Sequence, residues 1–264
     1  TINVINAQDA GEIEGEFTLS KNAADGYKTI TIPADEVSGT FVKLTDENSD
    51  VIEAQTAVQG QDFVITFTEE GLQALGSGEI TLQLVMLNNN TNNYYSISVT
   101  VWDMFISTPE EMLAFEQALN ASSSDANALS GWYRLDSDID LTDSDYVFGD
   151  FSGDPNKREG TRYFAGLFDG NGFSITGAKL GNKGMFNWVT ATGVIRNVAI
   201  VDAYAYGWNE NGTQTEQNVT HGSNILAEGF YGTLENVYVS GSIGTSHWSY
   251  SGLVWQMRAE AGKD

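Results

Sequence analysis

The sequence predicts an all-β protein in which a β-sandwich is followed by a β-helix. Short strands with period-two burial patterns fill roughly the first hundred residues, and a strong helix start comes next. Strand repeats rich in glycine and asparagine occupy the remainder. The change of pattern places the domain boundary at Asp103, which gives a sandwich over residues 1–103 and a β-helix over residues 104–264.

The first domain contains seven candidate strands separated by turn residues. Phe63, Ile65 and Phe67 share one face of a strand, and the same alternation recurs from Tyr95 to Val101. Period-two burial is typical of half-buried antiparallel strands, and about seven of them suggest an immunoglobulin-like sandwich. The candidate strands are Glu16–Ser20, Lys28–Ile32, Thr40–Leu44, Val51–Thr56, Gln61–Phe67, Glu79–Met86 and Tyr94–Val101.

Two helical segments interrupt the strands. The stretch TEEGLQAL, from Thr68, predicts a short capped turn. A longer helix is expected over Thr108–Leu119, because Thr108 suits the cap and Pro109 the first helical position. Its apolar stripe at helical spacing consists of Met112, Phe115, Ala118 and Leu119. We expect this helix to cap the β-helix by covering the open edge of its first coil.

Two later segments match position by position. GVIRNVAIV begins at Gly193 and GTLENVYVS begins at Gly232, so that Asn197 corresponds to Asn236. Ile195, Val198 and Ile200 likewise match Leu234, Val237 and Val239. Repeated strands of this kind are typical of solenoids, whose coils bury their apolar faces by stacking. Asparagine tolerates the left-handed conformation, and stacked amides form hydrogen bonds along a column.

These segments, together with WYRLDSDIDLT from Trp132 and FAGLFDGNGFSITG from Phe164, closely resemble the GLUG-type β-helix repeat. That repeat occurs in bacterial cell-surface and adhesin-like proteins and in the N-terminal region of IgA-cleaving metallopeptidases. The resemblance runs from about Ile106 to the end. It implies a right-handed β-helix, preceded here by a bacterial Ig-like domain, in an extracellular protein that is secreted or held on the cell surface. Because an uncovered coil end invites aggregation, we expect the protein to continue beyond Asp264.

Composition narrows the range of partners. The formal net charge is −24, from 12 Lys and Arg against 36 Asp and Glu. Such a surface repels nucleic acid and anionic membranes, and no run of residues is apolar enough to insert into a membrane. The absence of cysteine excludes disulfides, thiolate nucleophiles and cysteine-ligated zinc.

A cluster of aspartates is the candidate metal site. Its proposed ligands are Asp136, Asp138 and Asp140, and calcium, in a structural role, is the cofactor that they suggest. The glycine and glutamate that an EF-hand loop requires are missing from the expected places. The alternative is a strand with these aspartates on its exposed face and Leu135, Ile139 and Leu141 on its buried face.

Catalysis has weaker support in the sequence. A carbohydrate-active enzyme of β-helix fold, either a polysaccharide lyase or a glycoside hydrolase, would use Asp138, Asp140 or Asp169. Asp169 lies in a DGNG turn, where aspartate is expected for backbone reasons alone. His221 and His247 belong to no HExxH motif, which excludes the zinc peptidase activity of the larger relatives from this segment. We therefore predict a protein without enzymatic activity.

Aromatic residues crowd the last third of the chain, and four of them are the candidate ligand-binding residues: Tyr206, Trp208, Trp248 and Tyr250. Tyr206 and Trp208 fall in the polar stretch Tyr204–Asn224, which we expect to be a protruding loop. Exposed aromatic rings stack on sugars and on partner proteins, whereas the alternative is packing in the core. The sequence thus predicts an adhesin-like module that binds a glycan or a host or partner surface protein, or serves as a display stalk.

Overall fold

The computed structural model describes residues 6–22, 26–122, 125–149, 162–181, 183–209, 214–215, 219–221, 223–244 and 250–257. The chain divides into two compact units, Thr1–Met104 and Phe105–Asp264. Strands dominate both units, and the described residues contain two α-helices.

The first unit is built from two sheets. A four-stranded sheet has the order β1-β7-β6-β3, and a three-stranded antiparallel sheet has the order β2-β5-β4. In the larger sheet β1 runs parallel to β7, while the other neighbours are antiparallel. The elements are β1 (Asn6–Ser20), β2 (Thr29–Pro33), β3 (Thr40–Thr45), β4 (Ala54–Gln59), β5 (Asp62–Phe67), α1 (Glu69–Ala74), β6 (Gly78–Asn88) and β7 (Thr91–Trp102).

Residues from both sheets form one apolar core in this unit. Alternation along β5 buries Phe63, Ile65 and Phe67, as the sequence pattern predicts. The predicted capped turn is α1, in which the side chain of Thr68 accepts a hydrogen bond from the Gly71 N–H over 3.0 Å. Each of the seven predicted strands overlaps an observed one, and the main difference is that β1 extends back to Asn6.

The second unit consists largely of parallel strands. Its elements are β8 (Met104–Ile106), α2 (Pro109–Asn120), β9 (Trp132–Leu135), β10 (Ile139–Asp140), β11 (Val147–Phe148), β12 (Tyr163–Phe164), β13 (Leu167–Asp169), β14 (Ser174–Thr176), β15 (Lys179–Leu180), β16 (Trp188–Val189), β17 (Val194–Asn209), β18 (Gln214–Thr215), β19 (Val219–His221), β20 (Ser223–Asn224), β21 (Ala227–Phe230), β22 (Thr233–Gly244), β23 (Tyr250–Ser251) and β24 (Val254–Met257). The largest sheet follows the order β10-β14-β17-β13-β9-β8, and a parallel sheet of four strands follows the order β12-β16-β21-β24.

Helix α2 supplies the central aromatic ring of this unit's core. Its start matches the sequence signals: the Thr108 side chain accepts from the Glu111 N–H, and the Glu111 carboxylate accepts from the Thr108 N–H. Phe115 is fully buried, with ring centroids 4.9 Å from Tyr133 and 5.1 Å from Phe168. The rings of Phe164 and Phe186 also lie against it. The helix is therefore fixed by packing as well as by its cap.

The two matched repeats are adjacent parallel strands. In β17 and β22, Ile195 pairs with Leu234 and Val198 pairs with Val237, as the alignment of the sequence requires. Asn197 and Asn236 both adopt positive φ, 53° and 50°, and the Asn236 amide donates to the Asn197 Oδ1 over 3.2 Å. The predicted asparagine column is confirmed at this position.

The predicted fold class, an all-β immunoglobulin-like sandwich followed by a right-handed β-helix with a capping helix, is wrong. The second unit contains a curled parallel sheet, and no right-handed β-helix solenoid is found among the described residues. The repeats indicated separate coils closed by asparagine turns. Instead, the left-handed residues Asn197 and Asp202 bend one continuous 16-residue strand, β17. That strand pairs with β13, β14 and β15 and, in its second half, with the antiparallel β18 and β19.

Replacing Phe115 with alanine should destabilise the second unit by about 3–5 kcal/mol, because the change empties the space between four aromatic rings. Chemical denaturation followed by circular dichroism measures this free energy. The matched control is Tyr238→Ala, on a side chain that is 59% exposed, which should change stability by less than about 0.5 kcal/mol. A Phe115→Ala cost no larger than that of the control would contradict the role given to α2.

Candidate functional site

Three short parallel strands bring aromatic residues into one row. β12, β16 and β21 pair in register, so that Tyr163 aligns with Trp188, and Trp188 aligns with Gly229. The next residue of each strand points to the opposite face and is buried. These buried residues are Phe164, Val189 and Phe230. One face of this sheet therefore packs into the core, and Tyr163 and Trp188 lie half-buried on the opposite face.

Gly229 leaves the space that the indole of Trp188 occupies. A Cβ at this position would lie 2.6 Å from the Trp188 Cδ2 and 2.7 Å from its Cε2. Gly229 does not have a positive φ, so this close approach, rather than backbone conformation, accounts for the glycine. The indole thus lies directly over the neighbouring strand.

A carboxylate holds the edge of the same ring. The Trp188 Nε1–H donates to the Glu228 Oε2 over 3.2 Å, and the Lys183 ammonium forms an ion pair with that oxygen. The Lys183 and Glu228 side chains are only 14% and 19% exposed, so solvent screens this pair less than it would a surface pair. Glu228 therefore orients the indole, and Lys183 neutralises the carboxylate that does so.

The row lines a groove of about 590 Å³, which we call the aromatic groove. Its lining residues are Tyr163, Ala165, Trp188, Val189, Thr190, Ala191, Thr192 and Tyr231. The rings of Trp188 and Tyr231 lie 5.6 Å apart and are inclined by 33°. Two adjacent, slightly tilted rings form a surface on which a flat apolar face can stack.

Two threonines form the polar side of the groove. They belong to the turn after β16, which closes through a hydrogen bond from the Gly193 N–H to the Thr190 carbonyl over 3.0 Å. The Thr190 and Thr192 hydroxyl oxygens lie 3.2 Å apart. Thr192 also donates its hydroxyl proton to the Ala165 carbonyl over 3.1 Å. Both hydroxyls are consequently held in place by the backbone that carries them.

The three predicted metal ligands are engaged in separate local interactions. Asp136 pairs with Arg134 at 3.1 Å, whereas Asp138 accepts from the Ser174 N–H and hydroxyl at 2.8 and 2.9 Å. Asp140 accepts from Thr142, whose side-chain and backbone hydrogen bonds hold the pKa of this carboxyl below its ordinary value. Within the described ranges, no group of three or more His, Asp or Glu side chains is placed to hold a metal ion. Calcium binding by Asp136, Asp138 and Asp140 stays a prediction.

Asp169 is the centre of a polar column. Its Oδ1 accepts from the Asn171 N–H at 2.8 Å and from the Asn197 amide at 3.2 Å. Its Oδ2 accepts from the Arg196 Nε at 2.7 Å. The side chain is only 10% exposed. These bonds fix the DGNG turn, in which Asn171 has a φ of 52°, and they give Asp169 a structural role.

Three of the four predicted ligand-binding residues have described backbones, and all three lie on strands of the second unit. The backbones of Tyr206 and Trp208 belong to β17, where Trp208 pairs with Gln214 and with His221. The loop expected over Tyr204–Asn224 is therefore wrong for the described residues of this stretch, which belong to β17, β18, β19 and β20. Tyr250 begins β23. Trp248 lies outside the described residues.

Sequence reasoning missed the aromatic groove because no single segment contains it. In the sequence, Trp188 is only one of several aromatic residues in the last third of the chain, and Tyr231 only ends the segment GFY that begins at Gly229. The missing information was the strand register, which aligns Trp188 with a glycine and brings Tyr231 beside it.

Comparison with known proteins gives no relatives: no family model matches the chain, and no curated protein or solved structure is detectably similar to it. The resemblance to the GLUG-type repeat accordingly stays a prediction. Among the described residues, no helix combines the length and apolar character needed to cross a bilayer.

Replacing Gly229 with alanine should displace the indole of Trp188, because the new methyl group would overlap the ring. We expect the indole N–H resonance of Trp188 to shift in a ¹⁵N-correlated NMR spectrum as its bond to Glu228 is lost. The stability cost should be about 1–3 kcal/mol, as for other overpacked sites. Gly252→Ala is the matched control, since nothing lies within 4 Å of a Cβ there. An unchanged Trp188 resonance in Gly229→Ala would contradict the packing described.

Proposed function

We propose that this chain is a non-catalytic carbohydrate-binding module of an adhesin-like bacterial surface or secreted protein. The observation that carries the proposal is the aromatic groove, in which Trp188 and Tyr231 lie side by side next to two threonine hydroxyls. A sugar ring has an apolar face that stacks on aromatic rings and hydroxyls that require hydrogen-bonding partners. The groove offers both kinds of contact within one surface.

The rigidity of the groove supports this role. Trp188 is held by its hydrogen bond to Glu228 and by close packing against Gly229. Thr192 is held by its hydrogen bond to the Ala165 carbonyl, and Thr190 by its contact with Thr192. Rings that are already ordered lose little conformational freedom when a ligand binds. Stacking of this type contributes roughly 0.5–1.5 kcal/mol beyond the area that it buries. A shallow groove with two rings therefore suits weak binding that becomes strong when many copies act together.

Glycan binding is favoured over the other two proposed roles. A partner protein would gain most from a larger exposed apolar patch, whereas the groove combines two rings with hydroxyls on the scale of a sugar. A display stalk needs no groove. Binding of a host or partner protein is the outcome that a protein-binding screen on the same variants would reveal.

The rival function is a carbohydrate-active enzyme. A glycoside hydrolase needs two carboxylates on either side of the scissile bond. The acids considered for that role, Asp138, Asp140 and Asp169, each accept hydrogen bonds from their own neighbours in the fold. None of the three lines the aromatic groove. These observations favour binding without turnover.

Replacing Trp188 with alanine should weaken glycan binding about tenfold, because the larger of the two stacking rings is removed. A glycan array identifies the ligand, and calorimetric titration of that glycan measures the loss. Tyr238→Ala, at an exposed aromatic on β22, is the control and should bind as the unmodified protein does. Release of reducing sugar from the bound glycan would favour the enzyme, and equal affinity in Trp188→Ala would rule out the groove.

A second test concerns the aromatic residues that the sequence singled out. If Tyr206 and Trp208 bind ligand, replacing both with alanine should lower affinity and leave the melting temperature nearly unchanged. A fall of several degrees would assign both rings to the core instead. Differential scanning calorimetry and the same glycan titration, run on one protein preparation, separate the two outcomes.

A further inference from the structure

We propose that the aromatic groove selects neutral sugars and rejects acidic ones. This inference rests on the proposed carbohydrate-binding function and specifies its ligand class. It follows from three features of the groove: the direction of its hydroxyl protons, the charges around it, and the electrostatics of its aromatic faces.

The hydroxyl protons of both threonines are already in use. Each hydroxyl has one proton and two acceptor lone pairs. Thr192 donates its proton to the Ala165 carbonyl, so in the contact between the threonines Thr190 is the donor and Thr192 the acceptor. The chain of bonds runs from Thr190 through Thr192 to Ala165. Both oxygens therefore offer only lone pairs to a ligand, and a ligand that donates hydrogen bonds, as a sugar hydroxyl does, matches them.

A carboxylate, sulfate or phosphate would meet those lone pairs as a second acceptor. Among the described residues that line the groove, none has a positively charged side chain, and Tyr163 and Tyr231 each contribute a phenol group. The nearby cation Lys183 is paired with Glu228 at the edge of the indole. An acidic sugar would thus lose hydration without gaining a counter-charge, on a chain whose net charge is −24.

The electrostatics of the aromatic faces also disfavour an acidic sugar. The face of an aromatic ring is electron-rich, so it attracts the C–H groups of a sugar and repels an anion placed over it. Because the ring centroids of Trp188 and Tyr231 lie 5.6 Å apart, one sugar ring is large enough to contact both of them. A carboxylate at the rim of that ring has no favourable position within the groove. The lining therefore favours an uncharged pyranose with free hydroxyls.

The first experiment is an array that carries neutral glycans beside uronic-acid, sialylated and sulfated glycans, read with the unmodified protein and with Trp188→Ala. We expect hits that depend on Trp188 to be confined to neutral glycans. Hits on acidic glycans that are equally lost in Trp188→Ala would overturn the inference and leave the binding function intact. If no hit depends on Trp188, both the binding function and this inference fail.

The second experiment tests the hydroxyl chain with Thr192→Val, which removes one oxygen and keeps the shape. Affinity for the neutral glycan should fall about three- to tenfold, the usual loss for one hydrogen bond. The same change frees the Thr190 hydroxyl proton to donate to an anion. The ratio of the affinity for the neutral glycan to the affinity for its acidic counterpart should therefore fall. The two ligands to compare are β-1,4-mannohexaose and the β-1,4-mannuronate hexamer. If the array favours glucose, the corresponding glucose and glucuronate hexamers are used instead.

Thr81→Val serves as the control, because Thr81 is an exposed threonine on β6 in the first unit. It should leave both affinities unchanged. An unaltered neutral-to-acidic ratio in Thr192→Val, with the fold intact by circular dichroism, would overturn the assignment of the hydroxyl protons as the basis of selectivity. A fall in the neutral-to-acidic affinity ratio that occurs in Thr192→Val and not in Thr81→Val supports the assignment.

Discussion

The register of parallel strands is the constraint on which the second unit depends. Parallel pairing in register places the side chains of successive strands in rows that run across the sheet. One row, formed by Phe164, Val189 and Phe230, is entirely apolar and buried. A shift of one residue in any of these strands would turn its buried side chain outward and its exposed one into the core. The apolar row therefore also determines where the aromatic groove lies.

The same constraint creates the polar column at the bends of the sheet. Asp169 pairs in register with Arg196, and the Asn197 that follows bonds to Asp169 on one side and to Asn236 on the other. Each asparagine has a left-handed φ that turns the strand, and its amide then satisfies the polar groups exposed by the turn. The side chains of Asp169, Asn197 and Asn236 thus bond to one another where the strands turn.

Local sequence signals predicted the elements that depend on local chemistry. The cap at Thr108 located α2, the alternation from Phe63 to Phe67 located β5, and the matched asparagines predicted their own hydrogen bond. The long-range arrangement was not predictable in this way. A repeat with left-handed asparagines is compatible with closed coils and with a curled sheet, because both require the same turn residue. The choice depends on contacts between distant strands, which no local pattern encodes.

The aromatic groove shows the same limit at the level of a site. Composition favours an exposed aromatic on a polar segment as the binding residue, and that reasoning selected Tyr206 and Trp208. The groove instead requires a glycine opposite a tryptophan, at Gly229 and Trp188, and a carboxylate adjacent to that glycine in sequence, at Glu228. The signal was present as the AEGFY segment, in which Gly229 and Glu228 serve the indole, Phe230 enters the core and Tyr231 lines the groove. Its meaning depends on which strand lies beside it.

The proposed binding surface combines a strand with short turns, which has an energetic consequence. Trp188 lies on β16, Tyr231 directly follows β21, and the two threonines belong to the turn after β16. The 5.6 Å between the ring centroids and the 3.2 Å between the threonine hydroxyl oxygens are therefore set by the fold before a ligand arrives. Because the Thr192 hydroxyl donates to the Ala165 carbonyl, it would have to give up that bond in order to donate to an anion. Breaking that bond would leave a backbone acceptor without this partner and would cost about as much as the new bond returns. The selectivity that we propose against acidic ligands thus rests on the backbone hydrogen bonding of this turn.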